Sequence, residues 1–287
     1  MACDNAYKIE RAFNNNVVLA KESRTDVEII LLGKGVGFGA KPGDQLEADD
    51  HRIEKKFRLE NESHIQQYRH LINQVDESII GLSEEIIAMV AKDLSPNLNE
   101  HVHVALPDHI QFAIQRLQNG MEITNPFLYE IQTLYPKEFA LAQKASRMIE
   151  ERFSVTIPES ETGFLSLHIH AAASAYPVSK TVKVTNLIKE LVERVEKQVG
   201  TPIEKESMDY VRLITHLRFA VERIRQGKAV VNPLLDRIKE ISGSSYKLAE
   251  SLAKLIAERL EVDVPEDEVG YIAMHLHRLN QVKNTAK

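Results

Sequence analysis

The sequence contains very little cysteine and no apolar run long enough to cross a bilayer. Its single cysteine, Cys3, cannot form a disulfide within the chain, which excludes a small disulfide-stabilised scaffold. The first residues, MACDNAYKIERAF, carry early charges and lack the apolar centre of a signal peptide. With 43% hydrophobic residues, 27% charged residues and a mean hydropathy of −0.27, the chain is typical of a soluble globular protein, and we expect it in the cytoplasm.

An excess of basic residues is also absent. The net charge of −6 argues against nucleic acid as a partner of the whole surface, although it leaves a local basic patch open. The length of 287 residues suits two or three domains, each large enough to bury a core.

An internal repeat organises most of the chain. DHIQFAIQR at 108–116 returns in altered form as THLRFAVER at 215–223, so that His109 recurs as His216, 107 positions later. The same step relates further pairs without insertion or deletion: Gly120 and Gly227, Asn125 and Asn232, Pro126 and Pro233, Pro158 and Pro265, Gly163 and Gly270, His168 and His275. The sequence therefore predicts two tandem domains at 66–173 and 178–284, with a linker containing AYPVSK at 175–180.

The two copies have helical periodicity. Segments such as YKLAESLAKLIAERL repeat their apolar residues at three and four positions, with charged residues between them. The Asn-Pro pairs, and Pro158 and Pro265 before acidic residues, indicate helix starts. We therefore expect two all-α helical-bundle domains made of antiparallel helices.

Residues 1–60 differ in kind, since NNNVVLAKE, DVEIILLG and KKFRLE are short, rich in β-branched residues and separated by turn-forming residues. They predict a small antiparallel β domain. In GKGVGFGA at 33–40 the glycines alternate, so in an extended strand Lys34, Val36 and Phe38 would share the opposite face. A cation and an aromatic ring flanked by bare backbone suit phosphate contact and base stacking.

Other interpretations of this glycine-rich stretch remain open. A dinucleotide fingerprint requires glycine where Phe38 stands, and a phosphate-binding loop requires Gly-Lys-Ser/Thr, so neither motif is present. A plain glycine-rich hairpin fits the stretch as well. Residues 1–60 hold ten Lys and Arg against eleven Asp and Glu, so a nucleic-acid surface there must be local or assembled from two subunits.

The order of these pieces resembles a known family. AFNNNVVLA, then LLGKGVGFGAKPGD, then the twin domains with DHIQFAIQR and THLRFAVER are similar to the BglG/SacY transcriptional antiterminators over nearly the whole chain. NEHVHVALPDH and GKGVGFG are most similar to the glucose-specific members. The resemblance implies a multidomain fold: a small antiparallel β RNA-binding domain at 1–60, then two tandem phosphotransferase-regulated helical domains.

The resemblance also implies the RNA contacts. Carried over residue by residue, they are Arg11, Asn14, Asn16, Gly33, Lys34 and Phe38, with Arg11 as a phosphate contact. Many family members have arginine where Lys34 stands, and lysine keeps the charge without the planar fork that reads a base by two hydrogen bonds. A plain turn is the alternative for residues 14–16, because asparagine tolerates left-handed backbone.

The repeated histidines admit several interpretations. His109, Phe112, Ala113, Arg116 and Gly120 are identical in the second copy and lie on one helical stripe, and Phe112 and Ala113 suggest that this stripe packs inward. A buried structural histidine with an arginine at the rim is therefore one alternative. A metal site lacks accompanying cysteines, and no nucleophile, base and orienting residue can be assembled into a catalytic site. His170 and His277 are expected at the surface.

Histidine as a covalent switch is the favoured interpretation, because a neutral imidazole accepts a phosphoryl group near pH 7 and Arg116 or Arg223 can steady the charge. The resemblance implies His109, His168, His216 and His275 as phosphorylation sites, with HPr and a sugar-specific Enzyme II component as donors. His101 and His103 have no counterparts in the second copy, where Met208 and Tyr210 stand, and are left out.

The sequence thus predicts a homodimer that is not an enzyme, needs no cofactor or metal, and holds a leader mRNA hairpin according to its phosphorylation state. The main alternative is a DNA-binding transcriptional activator with the same regulatory domains, which would carry a winged or helix-turn-helix module. A metal-dependent hydrolase of helical-bundle type is a second alternative. Nothing helical is evident in residues 1–60.

Overall fold

A computed structural model of the protein describes residues 6–174, 176–228 and 230–285. Within these ranges, the strands are β1 (Ala6–Asn14), β2 (Val17–Glu22), β3 (Glu28–Leu32), β4 (Gln45–Glu47) and β5 (Lys55–Arg58). The helices that follow are α1 (Glu62–Leu71), α2 (Glu77–Asp93), α3 (Val102–Gln118), α4 (Leu128–Leu134), α5 (Pro136–Phe153), α6 (Glu159–Ala173), α7 (Val178–Val199), α8 (Met208–Arg225), α9 (Leu235–Ile241), α10 (Gly243–Leu260) and α11 (Glu266–Thr285).

The strands form one antiparallel sheet with the order β4-β1-β2-β3-β5. Its side chains alternate between two cores, as the two-residue period of a strand requires. Val18, Ala20, Ile29 and Leu31 enter a small core within the β domain. The predicted β domain is therefore confirmed, although β1 and β4 were not among the segments singled out in the sequence.

The other face of the sheet packs against helices. Val17 and Leu19 of β2 and Ile30 and Leu32 of β3 share one core with residues of α1, α2, α3, α5 and α6. Burial of such a face is the main favourable term in folding, at roughly 25 cal/mol per Å² of apolar surface. The sheet and the helices of the first copy therefore fold around a common core.

The chain divides into two compact units. One contains the residues up to Asn125 together with Lys137–Val178, and the other contains Pro126–Pro136 and the residues from Ser179 onward. The short helix α4 thus belongs to the second unit, although it lies within the first sequence repeat. The predicted domains, residues 1–60, 66–173 and 178–284, stay a prediction.

The helices follow the sequence repeat closely. α4 and α5 shifted by 107 positions coincide with α9 and α10 at both ends. Gly120 and Gly227 follow α3 and α8 with φ of 67° and 63°, a left-handed conformation that ends a helix and favours glycine. These two repeated glycines are explained by helix termination and do not belong to the packed stripe.

The short helices α4 and α9 make different contacts despite their equivalent positions. In the second unit, α9 packs against α10 and α11, whereas α4 packs against α8. The Tyr210 hydroxyl of α8 donates to Glu130 Oε1 of α4 at 2.8 Å, and Arg218 donates to the carbonyl oxygen of Leu134 at 2.9 Å. Tyr210 stands where the first copy has His103, so this contact uses a position at which the copies differ.

The predicted linker is shorter than expected. Ala175 lies outside the described residues, and α7 begins at Val178, so the last three residues of AYPVSK are helical. None of the helices in the described ranges combines the length and apolar character needed to cross a bilayer.

Candidate functional site

The first two repeated histidines meet in the first unit. His109 lies on α3 and His168 on α6, and their rings stack with centroids 4.2 Å apart and planes inclined by 27°. A positive charge on the His109 ring disfavours protonation of His168, because like charges at this distance repel. The structure therefore brings together two residues separated by more than fifty positions in the sequence.

A buried carboxylate lies beside this pair. Glu161 of α6 has no exposed surface, and its Oε1 is 2.6 Å from His109 Nε2. Arg116, two turns along α3 from His109, donates to Glu161 Oε2 at 3.1 Å. A buried charge is stable only when it is paired, so Glu161 holds the histidine and the arginine in position.

The second unit repeats this arrangement with a different distribution of contacts. His216 of α8 and His275 of α11 stack with centroids 3.4 Å apart and planes inclined by 15°. Arg223 donates to both oxygens of the buried Glu268, at 2.7 and 2.5 Å. Glu268 is therefore held by a two-pronged arginine contact, whereas Glu161 is shared between an arginine and a histidine.

The environment keeps three of these histidines neutral. Burial lowers the pKa of His168 well below its ordinary value, and the neighbouring His109 lowers it further. Burial lowers the pKa of His216, with Arg223 as a second cause, and burial together with His216 lowers the pKa of His275 to about 4. Neutral imidazoles at pH 7 have an available lone pair and are competent nucleophiles.

An open cavity of about 290 Å³ gives access to the second pair. Its lining is mostly apolar, with Leu213, Leu217 and Ile272 beside the histidines, and with Arg223 and Tyr271 as polar members. Low polarity beside the rings is the physical source of their depressed pKa values, since burial disfavours the charged imidazolium.

Glu161 and Glu268 were missed by sequence reasoning. The signal was present, because the two residues are related by the same step of 107 positions as the histidines. From the sequence alone, both are simply acidic residues at the start of a helix after Pro158 and Pro265. Helix capping explains an acidic residue in a first turn, so their approach to the histidines was not evident before the helices were packed.

The stripe that carries His109 is only partly buried, contrary to the prediction that it packs inward. Ala113 is 3% exposed, but Phe112 is 57% exposed and Phe219 in the second copy is 48% exposed. The Arg116 guanidinium lies 4.7 Å from the centroid of the Phe112 ring, a cation–π contact at the surface. The repeated phenylalanine therefore marks an exposed ring next to each histidine pair.

Three histidines outside the stacked pairs, His103, His170 and His277, are buried or half-buried. His103, set aside for lack of a counterpart, is buried, and its Nδ1 lies 2.7 Å from Glu84 Oε2. The Tyr68 hydroxyl donates to the other oxygen of Glu84 at 3.3 Å. His170 was expected at the surface but is half-buried, with its Nδ1 2.9 Å from Glu138 Oε1, and His277 is half-buried as well.

The residues assigned to RNA contact lie in two neighbouring loops of the β domain. Asn14 ends β1, Asn15 and Asn16 form the turn to β2, and the glycine-rich stretch follows β3. The Asn16 side-chain oxygen accepts from the Gly35 N–H at 3.2 Å, and the Asn15 carbonyl accepts from the Gly37 N–H at 3.0 Å. These hydrogen bonds join the two loops into one edge.

The prediction that GKGVGFGA forms a strand is wrong. After β3 the chain turns through residues 34–39, and Gly35 and Gly39 have φ of 75° and 70°. Val36 is buried at 1% exposure, whereas Phe38 is 75% exposed and Lys34 is exposed as well. Strict alternation failed because the left-handed glycines rotate successive side chains away from the period of a strand.

Glycine is required at Gly33 and Gly37 by close backbone approach. A Cβ at Gly33 would lie 1.7 Å from the Arg52 carbonyl oxygen, and one at Gly37 would lie 2.2 Å from the Asn14 carbonyl oxygen. The assigned residue Gly33 therefore shapes the loop that presents Lys34 and Phe38. Arg52 supports the same loop, because its side chain donates to the Gly35 carbonyl at 3.4 Å.

Three of the assigned RNA contacts are engaged by helical residues. Arg11 Nε donates to Glu77 Oε1 at 2.7 Å, and the side-chain nitrogens of Asn14 and Asn16 both donate to Glu85 Oε1 at 3.1 Å. Lys34 and Phe38 remain exposed. Within the described part of the chain, no group of three or more His, Cys, Asp or Glu residues is arranged to hold a metal ion.

Comparison with known families agrees with this architecture. Residues 7–66 match the CAT RNA binding domain, and residues 84–172 and 189–279 each match the PRD domain. The chain therefore belongs to the class of proteins in which an RNA-binding domain precedes two PRD domains. This match confirms the fold class, with a β domain followed by two helical domains.

Three relatives identify the family further. The chain is 32% identical to the transcription antiterminator LicT of Bacillus subtilis over 95% of its length and 98% of the relative. It is 37% identical to the PtsGHI operon antiterminator of the same species, covering 96% of this chain and 97% of that one. For the protein GlcT of Staphylococcus aureus, the identity is 29% over 96% of this chain and 99% of that one.

A solved structure gives the same result. The crystal structure of GlcT CAT-PRDI superposes with a TM-score of 0.51 and 40% sequence identity, over 59% of this chain and all but 1% of that one. The protein is a member of the BglG/SacY family of transcriptional antiterminators, as its motifs predicted. This membership also confirms the expectation that the chain is a regulator rather than an enzyme.

We expect the buried carboxylates to stabilise the helical units through their arginines. Glu268→Gln removes the charge opposite Arg223 and should lower the free energy of unfolding by about 1–3 kcal/mol, because the arginine loses its charged partner in a buried setting. Glu240→Gln is the matched control, since its pair with Arg237 is solvent-exposed and should contribute less than about 1 kcal/mol. Urea unfolding followed by circular dichroism measures both; equal effects would contradict the assigned role of Glu268.

The lowered pKa of His275 predicts a pH dependence of stability. Its pKa falls from 6.5 to about 4 on folding, so between these values the unfolded chain binds the proton more readily. The contribution of His275 to the free energy of unfolding should therefore be fully present above pH 6.5 and should decrease as the pH falls towards 4. Allowing for partial solvation, we expect a loss of about 1–2 kcal/mol from this group.

The variant His275→Gln should flatten this part of the stability profile, measured by urea unfolding between pH 4.5 and 7.5. His51→Gln, at a side chain that is 94% exposed, provides the control for a histidine outside the stacked pairs. A profile for His275→Gln that is parallel to that of the parent would show that the stacked pair does not resist protonation.

Proposed function

We propose that the protein is a sugar-responsive transcriptional antiterminator that binds a leader mRNA hairpin as a homodimer, under the control of histidine phosphorylation. The observation that carries the proposal is the duplicated site: two stacked histidine pairs, each with a buried glutamate and an arginine, joined to an RNA-binding domain. The relatives named as antiterminators support the same function.

The RNA site that we propose consists of Arg11, Asn14, Asn16, Gly33, Lys34 and Phe38. Phe38 supplies an exposed ring for base stacking and Lys34 an exposed cation for phosphate contact. One charge-balanced β domain offers few cations, so two copies are needed to build a surface large enough for a hairpin. The dimer follows from this need.

The proposed phosphorylation sites are His109, His168, His216 and His275. In the transfer, a ring nitrogen attacks the phosphorus of the donor's phosphoryl group, the bond to the donor breaks, and a nitrogen–phosphorus bond forms on this chain. The electron pair of the broken bond stays with the donor. Depressed pKa values favour this step at His168, His216 and His275, because the imidazole lone pair is available at pH 7.

Phosphorylation of these histidines would disrupt the contacts of the buried glutamates. A phosphoryl group adds about −1.5 to −2 charges at pH 7. On His109 that charge would compete with Glu161 for Arg116, and two anions sharing one arginine in a buried site are unfavourable. The helices α3 and α6 must then repack, which provides a physical link between phosphorylation and the conformation of the domain.

HPr and a sugar-specific Enzyme II component are the proposed donors, and the resemblance of NEHVHVALPDH and GKGVGFG to the glucose-specific members of the family favours glucose as the type of sugar. We place the action of the protein in the cytoplasm, because a regulator of transcription termination must bind RNA as it is transcribed. The DNA-binding alternative is not supported, because the sheet lies within residues 6–58 and residues 7–66 match an RNA-binding family.

We expect incubation with purified HPr, Enzyme I and phosphoenolpyruvate, with or without Enzyme II components, to add phosphoryl groups to the repeated histidines. Intact-mass and peptide mapping would detect them, with His70→Gln as a control at an exposed histidine outside the stacked pairs.

His109→Asp and His216→Asp should shift dimerisation and RNA binding together, as measured by sedimentation and RNA titration. If full phosphorylation changes neither, the stacked pairs are structural histidines.

Phe38→Ala should weaken RNA binding, because an exposed aromatic ring that stacks on a base contributes about 1–3 kcal/mol. Fluorescence titration with a stem-loop RNA, at one fixed salt concentration, measures the loss. Phe112→Ala is the matched control, since that ring is also exposed but lies on a helix of the first PRD domain. Equal affinities for Phe38→Ala and the parent would remove Phe38 from the RNA site.

A further inference from the structure

The helix α2 presents a stripe of three residues to the proposed RNA contacts. We call the loops at residues 14–16 and 33–39, together with Arg11 of β1, the RNA-binding edge. Glu77, Gly81 and Glu85 are spaced by four positions and therefore share one face of the helix. Glu77 contacts Arg11, Gly81 lies under Asn14, and Glu85 contacts both Asn14 and Asn16. All these residues belong to the same compact unit. We call Glu77, Gly81 and Glu85 the α2 stripe.

The α2 stripe uses the hydrogen-bond donors that RNA would need. The side-chain nitrogens of both asparagines donate to Glu85, while their oxygens accept from the N–H groups of Asn16 and Gly35. Arg11 donates through Nε to Glu77 and through Nη1 to the Ile72 carbonyl oxygen, at 2.6 Å. A carboxylate oxygen offers a donor the same negative acceptor as a phosphate oxygen, so the stripe and RNA compete directly.

The contact between the α2 stripe and Asn14 also depends on the absence of a side chain at Gly81. A Cβ at Gly81 would lie 2.4 Å from Asn14 Nδ2 and 2.9 Å from its Cγ, which is too close for any other residue type without moving the amide. Glycine in the interior of a helix is less stable than alanine, so its presence there calls for a structural reason. Because Gly81 has no side chain, the Asn14 amide can reach Glu85, one turn further along the helix.

We propose that the α2 stripe is an autoinhibitory surface that covers the RNA-binding edge of the same chain, so that hairpin binding requires α2 to separate from residues 11–16. This inference rests on the proposed RNA site and names the element that regulates it. The protein thus has a closed state, shown by the structure, and an open state in which Arg11, Asn14 and Asn16 are available to RNA.

The closed state is anchored beyond the stripe. Glu84, next to Glu85, is buried against His103 of α3 and Tyr68 of α1, and the apolar side of α2 enters the core shared with the sheet. Separation of α2 from the sheet therefore disturbs the packing of α3, the helix that carries His109. The same packing makes the position of α2 sensitive to repacking of the first histidine pair.

The expected effect on RNA affinity follows from the population of the open state. When only a fraction of the molecules is competent to bind, the apparent dissociation constant equals the intrinsic one divided by that fraction. A change that weakens the closed state therefore tightens RNA binding, and Gly81→Ala does so without altering any charge at the RNA site. We expect at least about a fivefold gain for a variant that breaks the Glu85 contacts.

Two variants test the proposal in the full chain, each with a matched control. Gly81→Ala forces the Asn14 amide away from α2 without changing charge, and Gly243→Ala is its control, because a Cβ there meets nothing within 4 Å. Glu85→Ala removes the shared acceptor, and Glu151→Ala removes one negative charge from an exposed position on α5. The probe is a stem-loop RNA selected from a randomised hairpin pool on the immobilised full-length protein, titrated at constant salt.

Tighter binding by Gly81→Ala and Glu85→Ala, with unchanged binding by both controls, supports the proposal. Hydrogen–deuterium exchange without RNA provides a second readout, in which residues 11–17 and α2 should lose protection in the same two variants. Unchanged affinity together with unchanged exchange in both variants would overturn the autoinhibitory surface. If no hairpin is retained by any form of the protein but exchange rises as expected, the closed contact stands and the proposed RNA function fails.

Discussion

Five buried carboxylates among the described residues hold the structure together, because a charge removed from water is stable only with a partner. Each is at most 4% exposed, and each is paired with a side chain of another element: Glu28 with Arg69, Glu84 with His103, Glu130 with Tyr210, Glu161 with Arg116, and Glu268 with Arg223. Two of these pairs adjoin the stacked histidines. The scaffold and the proposed switch therefore depend on the same contacts, and added negative charge at either histidine pair acts directly on the packing.

The sheet of the RNA-binding domain shares a core with the helices that carry two of these carboxylates. Its face with Val17, Leu19 and Ile30 lies in one core with the helices of the first copy, so the β domain is covered by helices on that side. The edge with Asn14 and Asn16 meets α2 where this core ends. A helix that is packed under a binding domain can change the exposure of that domain without any direct contact between a proposed phosphorylation site and RNA.

The two copies use one scaffold in different ways. Glu161 is shared by His109 and Arg116, whereas Glu268 accepts two hydrogen bonds from Arg223. Position 103 is a buried histidine in the first copy, and the equivalent Tyr210 in the second binds Glu130 of α4. A repeat preserves the helix pattern, while single substitutions at buried positions decide which neighbours each copy engages.

The sequence by itself determined the β domain, the tandem helical domains, the step of 107 positions and the family, because periodicity and motif spacing are local properties of the chain. It also singled out the histidines that meet in pairs. It did not reveal Glu161 and Glu268, the exposed Phe112, or the turns in GKGVGFGA, since these depend on which helices pack together and on the left-handed backbone at Gly35 and Gly39. Only the tertiary structure decided that Asn14 and Asn16 face Glu85, because that contact joins residues about seventy positions apart across a core whose register no local pattern encodes.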